Sequence, residues 1–170
     1  MNVRVIQLLV DNTSGVLSRI SGLFSRRGYN IESITAGVTA NPKYTRITIV
    51  TSGDDDILNQ IEKQVAKLID VRDVKVLPPA ESVYRELALI KVKVSAKDRQ
   101  GVLSIADIFR ANIIDVSKDS LIIELTGDQD KINAFLGLLE GYEILELART
   151  GITGLKRGGK AYIPKKEIEL

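Results

Sequence analysis

The residues whose types and spacing could carry chemistry stand between the first predicted strand and the first predicted helix. Residues 11–15 read DNTSG. A helix N-terminus presents backbone N–H groups that lack intrahelical acceptors and can bind a carboxylate. Gly15 would let a ligand approach the backbone without meeting a Cβ, and the carboxamide of Asn12 can both donate and accept hydrogen bonds. This combination suits a small zwitterion, and we expect Asn30 to lie at the same end of the fold.

The same residues also have a purely structural interpretation. Asn12 can form an Asx turn, and Thr13 or Ser14 can cap the helix. Gly15 would then ease the turn, and Asn30 would be an ordinary loop residue. The local pattern by itself leaves both interpretations open.

Catalysis has few residue types to work with. The chain contains no cysteine and no histidine, which excludes disulfides, thiolate nucleophiles, histidine bases and Ser-His-Asp sets. Two acidic groups, residues 54–56 and the pair Asp128 and Asp130, precede predicted helices, where carboxylates complement the helix dipole. We therefore predict no catalytic residue and no metal site.

A glycine-rich segment near the C-terminus imitates a phosphate-binding loop. Residues 154–161, GLKRGGKA, contain its G-x-x-x-x-G-K core. Ala161 stands where that motif needs Ser or Thr, and the residues that follow do not begin a helix. We interpret the segment as part of a basic tail, because residues 149–170 hold six Lys or Arg against two Glu.

The chain repeats one unit. Gly-Val-Leu-Ser occurs at residues 15–18 and again at 101–104, and each copy is followed by a phenylalanine, Phe24 or Phe109. An asparagine with branched aliphatic residues after it comes next in both halves. This ordered series of matches indicates an internal duplication.

Hydrophobic periodicity predicts the element order βαββαβ in the first copy. The predicted strands are residues 3–10, 31–39, 44–51 and 71–77. The two helices carry apolar stripes, made of Val16, Leu17, Ile20, Leu23 and Phe24 and of Ile57, Leu58, Ile61, Val65, Leu68 and Ile69. Gly28 is a stop signal for the first helix. In the third predicted strand we expect Ile47 and Ile49 to face the core, and Arg46 and Thr48 to face water.

The second copy has the same element order. Its predicted strands are residues 87–94, 113–116, 121–125 and 142–148. Its helices should bury Val102, Leu103, Ala106 and Phe109, and Ile132, Phe135, Leu136 and Leu139. The predicted fold class is α+β, with two tandem ferredoxin-like βαββαβ domains whose antiparallel sheets carry helices on one face. The open edge and bare face of such a small sheet favour pairing with another copy, so we expect a homodimer at least.

The domain boundaries follow from the duplication. Pro78 and Pro79 cannot continue a strand ladder, so residues 78–83 are predicted to form a short linker. The predicted domains are then residues 1–77 and residues 84–170.

Composition restricts the class of protein. Hydrophobic residues make up 44% of the chain and the formal net charge is only +2, so we expect a packed core and neither nucleic acid nor a membrane as partner. No long apolar stretch opens the chain, and a soluble, cytoplasmic protein is expected. RNA-binding domains share the βαββαβ order but stack bases on sheet aromatics. Residues 44–50, YTRITIV, lack that pattern.

One long run carries a family resemblance. Residues 11–37, DNTSGVLSRISGLFSRRGYNIESITAG, closely resemble the ligand-binding segment of the small subunits of acetolactate (acetohydroxyacid) synthase, an ACT-domain family. Further similar stretches extend this resemblance over nearly the whole chain, at residues 60–64, 108–110, 113–116, 148–151 and 154–158. The two domains would then be an N-terminal ACT domain and a C-terminal ACT-like domain.

The resemblance implies a non-catalytic regulatory subunit. It would activate the catalytic large subunit of acetolactate synthase and confer feedback inhibition by valine, or another branched-chain amino acid, in isoleucine, valine and leucine biosynthesis. Thiamine diphosphate, magnesium and any flavin would belong to that catalytic partner, with no cofactor on this chain.

The family binds its effector between the ACT domains of two protomers. Carried over by motif, Asn12 and Asn30 would hold the polar groups of the effector. The backbone around four further residues would line the rest of the site: Gly15, Val16, Leu17 and Ile31. The second domain has Arg99 in place of Asn12 and is not expected to bind the same ligand. The alternative is a free-standing ACT-domain sensor of another metabolic enzyme, which would not co-purify with a large thiamine-diphosphate subunit.

Overall fold

The structure is a computed structural model in which residues 1–159 are described. The chain divides into two compact units. The first comprises Met1–Val83 together with the segment that begins at Ile152, and the second comprises Tyr84–Gly151. No helix in residues 1–159 is long and apolar enough to cross a membrane.

The first unit opens with six elements in the predicted order βαββαβ. They are β1 (Asn2–Asp11), α1 (Val16–Arg27), β2 (Asn30–Val38), β3 (Tyr44–Gly53), α2 (Asp55–Val65) and β4 (Val71–Val76). The four strands form an antiparallel sheet in the order β2-β3-β1-β4. The predicted elements are confirmed, and the strand ends differ from prediction by at most two residues.

The core of the first unit lies between its sheet and its two helices. Alternate residues of each strand point to one face, and the buried cluster includes Ile6, Leu8, Ile20, Phe24, Ile47, Ile49, Leu58 and Ile61. Three residues that we predicted to be buried are exposed instead, namely Leu17, Ile57 and Ile69. Ile69 follows the end of α2 at Val65, so it does not continue the helical stripe.

Gly28 ends α1 as predicted. Its φ is 68°, in the left-handed region, and its N–H donates to the carbonyl of Ser25 while the N–H of Tyr29 donates to the carbonyl of Phe24. Because glycine enters this region without a Cβ clash, it is the usual residue at this position.

The second unit repeats the arrangement of the first. Its elements are β5 (Ser82–Lys93), α3 (Arg99–Ile108), β6 (Asn112–Val116), β7 (Ser120–Gly127), α4 (Gln129–Leu138) and β8 (Ile144–Arg149). The sheet order is β6-β7-β5-β8, equivalent to that of the first unit. In both sheets the strand after the first helix has a register shift near its start, at residues 31–33 and 113–115. The predicted α+β class with two tandem ferredoxin-like βαββαβ units is confirmed.

The predicted linker contains a single 3₁₀ turn, Pro79–Glu81, and the beginning of β5. The final described strand, β9 (Thr153–Lys156), pairs with β5. Residues 152–159 are grouped with the first unit, whereas the sequence had assigned them to the second domain.

The outer face of the first sheet, opposite its helices, is not bare. Gln7 on this face donates from Nε2 to the carbonyl of Gly154 at 2.6 Å. Thr48, which is level with Gln7 in the sheet, is only 1% exposed. The prediction that Thr48 faces water is therefore wrong, because a segment from the far end of the chain lies on this face.

Candidate functional site

The loop that joins β1 to α1 makes a left-handed turn at its last residue. Gly15 is the N-cap of α1, with φ 83° and ψ −6°, a conformation that glycine adopts without steric cost. No side chain among residues 1–159 caps this helix, so the prediction that Thr13 or Ser14 caps it is wrong. The first backbone N–H groups of α1, from Val16 onward, consequently have neither an intrahelical acceptor nor a capping side chain.

Asn12 fastens this loop to the hairpin between β2 and β3. Its Nδ2 donates to the carbonyl of Pro42 at 2.9 Å, and its Oδ1 accepts from Thr45 Oγ1 at 3.2 Å. Its backbone N–H also donates to the carbonyl of Lys43 at 2.8 Å. A carboxamide can donate twice and accept twice, so the side chain keeps one donor hydrogen and one acceptor site for a ligand.

The guanidinium of Arg19 lies over Gly15. Its Nη1 is 2.9 Å from the position that a Cβ on Gly15 would take. Asp70 holds the same group through two bonds, Nε to Oδ2 at 2.5 Å and Nη2 to Oδ1 at 3.0 Å. The hydrogen bond from Arg19, and then its positive charge, lower the pKa of Asp70. The space that Gly15 leaves free is thus occupied by a cation that the chain itself supplies.

A second ion pair secures the other end of the loop. Arg72 donates from Nε and Nη2 to the two carboxylate oxygens of Asp11, both at 2.7 Å. The backbone N–H of Asp11 donates to the carbonyl of Asp70 at 2.9 Å. Residues 70–72, around the start of β4, therefore hold both ends of the loop.

Sequence reasoning missed these two ion pairs, Arg19 with Asp70 and Arg72 with Asp11. Asp70 and Arg72 lie more than fifty positions from the residues they bind, and no local pattern connects them. The one available signal was that Arg19 stands four positions after Gly15, a spacing that brings two positions together on one side of a helix.

The predicted aliphatic lining residues differ in exposure. The side chain of Val16 is in the core and 4% exposed, whereas that of Leu17 is 50% exposed. Ile31 is partly buried and packs against the core of the first unit. Of these three, only Leu17 presents a largely free apolar side chain beside the loop.

Asn30 lies at the opposite end of the sheet from Asn12. Asn30 is level with Ser52 on β3, and Ser52 is level with Val3 on β1. Nine residues of extended chain separate Val3 from Asn12, which corresponds to about 30 Å. The expectation that both asparagines share one end of the fold is wrong within a single chain, because α1 carries the chain back along the sheet before β2 begins.

The corresponding loop of the second unit is built differently. Helix α3 begins at Arg99, so Gly101 lies in its first turn instead of at the N-cap. A Cβ on Gly101 would collide with the hydroxyl of Tyr142. Arg99 donates from Nη2 to the carbonyls of Ser117 and Lys118, at 3.0 and 2.9 Å. At the place that corresponds to the first loop, the second unit therefore has no left-handed glycine, and it has Arg99 where the first unit has the carboxamide of Asn12.

The two acidic groups have the structural role that the sequence indicated. Asp54 caps α2 by accepting from the N–H of Ile57, and Asp128 caps α4 by accepting from the N–H of Lys131, both at 2.9 Å. Within residues 1–159 no group of three or more acidic residues is arranged to hold a metal ion.

The segment that imitates a phosphate-binding loop begins inside strand β9, as Gly154 belongs to that strand. Lys160 and Ala161, with the rest of the predicted basic tail up to residue 170, lie outside the described residues.

Two family models match this chain, one within the first unit and one over the second unit and the segment that follows it. The model described as "AHAS small subunit-like ACT domain" matches residues 6–73, and that described as "Small subunit of acetolactate synthase" matches residues 85–158. Together they cover most of the described residues and confirm the assignment of the first unit as an ACT domain.

Individual relatives match over almost their full length. The probable acetolactate synthase small subunit of Methanothermobacter thermautotrophicus is 49% identical over 94% of this chain and 95% of its own. The isozyme 3 small subunit of Escherichia coli is 45% identical over 92% of this chain and 97% of its own. The crystal structure of the small subunit from Thermotoga maritima superposes with a TM-score of 0.88, at 41% identity, over 94% of this chain and all of that chain. The chain belongs to the acetolactate synthase small-subunit family.

Proposed function

We propose that this chain is the regulatory subunit of an acetolactate synthase: it activates a separate catalytic large subunit and makes that subunit sensitive to valine or another branched-chain amino acid. The observation that carries the proposal is the match along both units to proteins named as small subunits of this enzyme. The chain lacks histidine and cysteine, which agrees with a non-catalytic role. Thiamine diphosphate, magnesium and any flavin would be bound by the catalytic partner.

The proposed effector site requires two copies of the first unit. Asn12 and Asn30 both belong to the matched motif, yet about 30 Å of sheet separates them in one chain. One chain alone therefore cannot use both carboxamides on a ligand as small as an amino acid. A second copy can supply the missing one.

The edge strand β2 suggests how the second copy would approach. Within residues 1–159, β2 has a neighbouring strand on one side only, and antiparallel pairing with a second β2 about a twofold axis would extend the sheet. With a register centred on Ile34, the partner's Asn30 stands opposite Val38. Val38 is level with Thr45, whose hydroxyl binds Asn12. The twofold axis thus brings the partner's Asn30 to the end of the sheet where Asn12 lies, and a dimer has two such sites.

The groups at this junction suit a branched-chain zwitterion. The uncapped N–H groups at the start of α1 favour a carboxylate, and the remaining acceptor site of Asn12 suits an ammonium. The exposed side chain of Leu17 offers an apolar contact for a branched aliphatic group.

Regulation then follows from linkage between effector binding and the catalytic partner. An effector that binds one arrangement of the dimer more tightly shifts the equilibrium toward that arrangement. A coupling free energy of about 1–3 kcal/mol would change the partner's response about 5–150-fold.

Reconstitution with the catalytic subunit tests the proposal. We expect the two chains to co-purify, activity to rise when this chain is added, and activity to fall as valine is titrated in. A catalytic subunit whose activity responds neither to this chain nor to valine in its presence would refute the proposal and favour a sensor of another enzyme.

The variant Asn12→Ala locates the response on this chain. It removes a hydrogen bond to a charged group of the ligand and should cost about 1.5–3 kcal/mol of effector affinity. Thr45→Val is the matched control, because it removes the internal bond to Asn12 Oδ1 and leaves the carboxamide in place. Valine affinity that is unchanged in Asn12→Ala by calorimetry would exclude its assigned role.

A further inference from the structure

We infer that Arg19 is a direct effector-binding residue, whose guanidinium, fixed by Asp70 beside Gly15, pairs with the carboxylate of the bound amino acid. This inference rests on the proposed function and adds to it a binding group outside the predicted set. The guanidinium has five N–H donors, and what matters is which of them remain available to a ligand.

Asp70 leaves one edge of the guanidinium unused. The carboxylate takes Nε and Nη2, and Nη2 also lies 3.5 Å from the carbonyl of Ser14. Nη1 has no hydrogen-bond partner among residues 1–159, and it is the atom nearest to the Cβ position of Gly15. The side chain of Arg19 as a whole is 47% exposed, so the guanidinium is not enclosed by the chain.

A ligand that approaches the backbone at Gly15 meets Arg19 first. Glycine often occurs where a ligand comes close to the main chain, because it has no Cβ. Here, however, Nη1 lies 2.9 Å from the position that a Cβ on Gly15 would take. The same place borders the uncapped N–H groups of α1. A carboxylate there would accept from the helix start and from Nη1 together, which gives charge-assisted hydrogen bonds.

Asp70 acts as a positioning residue for this contact. An arginine side chain loses rotamer freedom when it is held in one place, and the two bonds to Asp70 fix Arg19 before any ligand arrives. The charges in contact here form two ion pairs, Arg19 with Asp70 and Arg72 with Asp11. The cluster is therefore neutral overall, as is the zwitterion that it would receive.

The same helix contains a natural control. Arg26 bears the same relation to Gly22 that Arg19 bears to Gly15, with Nη1 3.3 Å from the position that a Cβ on Gly22 would take. Arg26 is exposed and lies two helical turns farther along α1. It therefore reproduces an arginine lying over a glycine at the other end of the same helix.

Calorimetric titration of the full chain with L-valine tests the inference. We expect Arg19→Gln to raise the Kd for valine at least tenfold, Arg19→Lys to recover part of that loss, and Arg26→Gln to leave the Kd within twofold of the wild type. Thermal unfolding of each variant shows whether it is folded. If Arg19→Gln does not fold, Arg19→Lys, which keeps the charge, is titrated in its place.

Asp70→Asn separates direct binding from a structural role. If Arg19 binds the ligand, Arg19→Gln must weaken valine binding much more than Asp70→Asn, because Asp70→Asn removes only the residue that positions Arg19. If Arg19 only stabilises the loop through its ion pair with Asp70, Arg19→Gln and Asp70→Asn break the same pair. The two variants should then raise the Kd for valine equally. Equal effects, or an unchanged Kd in Arg19→Gln, would overturn the inference. Absence of valine binding by the wild-type chain would instead refute the proposed effector site itself.

Discussion

Gln7 and Gly154 are 147 positions apart in the chain, yet the side-chain amide of Gln7 donates to the carbonyl of Gly154 at 2.6 Å. The bond is buried, and it joins β1, one of the two inner strands of the first sheet, to the segment that follows the second unit. The first unit is therefore completed by residues from near the C-terminus. Lys156 and Glu81 add an ion pair at 3.0 Å to the same segment.

Replacing Gln7 by alanine should destabilise the first unit. The change leaves the buried carbonyl of Gly154 without its donor, which costs about 1–3 kcal/mol of unfolding free energy. Urea unfolding measures this difference. Gln60→Ala is the control, since Gln60 is exposed on α2 and its loss should change stability by less than about 0.5 kcal/mol. Equal effects of the two variants would show that the contact with Gly154 contributes nothing.

The two repeated glycines should respond differently to alanine. Gly15→Ala forces a side chain into a left-handed backbone conformation, at a cost of about 1–2 kcal/mol, and pushes Arg19 from its place. Gly101→Ala drives a methyl group against the hydroxyl of Tyr142, and such overpacking costs about 1–3 kcal/mol. We expect valine affinity to fall in the first variant only, as measured by calorimetry. A fall of similar size in Gly101→Ala would place effector contacts in the second unit.

Replacing Arg149 should destabilise the second unit more than replacing Glu86, although the two residues form one ion pair. Arg149 donates to both carboxylate oxygens, at 2.6 and 3.0 Å, but the side chain of Glu86 is 3% exposed and that of Arg149 is 29% exposed. Arg149→Met strands a buried carboxylate and should cost about 3–5 kcal/mol. Glu86→Gln leaves a partly exposed cation that also binds Asn133, and should cost about 1–2 kcal/mol. Chemical denaturation of both variants tests the order, and a larger loss in Glu86→Gln would contradict this account.

Asp70 should make the stability of the first unit depend on pH. The hydrogen bond from Arg19 holds the pKa of Asp70 below its usual value, so the folded state favours the ionised carboxyl. That contribution is complete above the unfolded pKa of about 3.9, and it is lost as the pH falls through the lower folded value. The difference in unfolding free energy between wild type and Asp70→Asn should therefore stay constant from about pH 7 to about pH 4 and shrink as the pH is lowered further. Repeating the comparison in an Arg19→Gln background should remove most of this pH dependence, and a difference that persists would point to another cause.

Sequence patterns predicted the elements of this fold because their information is local. Apolar residues at helical or alternate spacing, as at Ile20 and Phe24 or at Ile47 and Ile49, report which side of an element meets the core. Thr48 was misassigned because its burial depends on the outer face of the sheet, against which a residue more than a hundred positions away is packed.

The candidate site was predicted in part. The motif directed attention to the loop and Asn12, whose role in effector binding stays a prediction, and the left-handed Gly15 agrees with a requirement for glycine there. The ion pairs that Asp70 and Arg72 form at the loop had no local pattern in the sequence, because only the fold brings these two residues to the loop. The position of Asn30 was wrong because a strand–helix–strand connection returns the chain to the end at which the first strand began, so residues at the start of β2 lie far from those at the end of β1.

Titration of mixed dimers tests the central claim most directly, namely that an amino acid is held between Asn12 of one protomer and the partner's Asn30. Asn12→Ala and Asn30→Ala chains, each with a different affinity tag, would be co-expressed, and the heterodimer isolated through both tags. Each homodimer lacks a complete site, whereas the heterodimer joins the intact Asn12 of one chain to the intact Asn30 of the other. We expect one valine site of wild-type affinity per heterodimer and no site of that affinity in either homodimer. A heterodimer that binds valine no better than the two homodimers would contradict it.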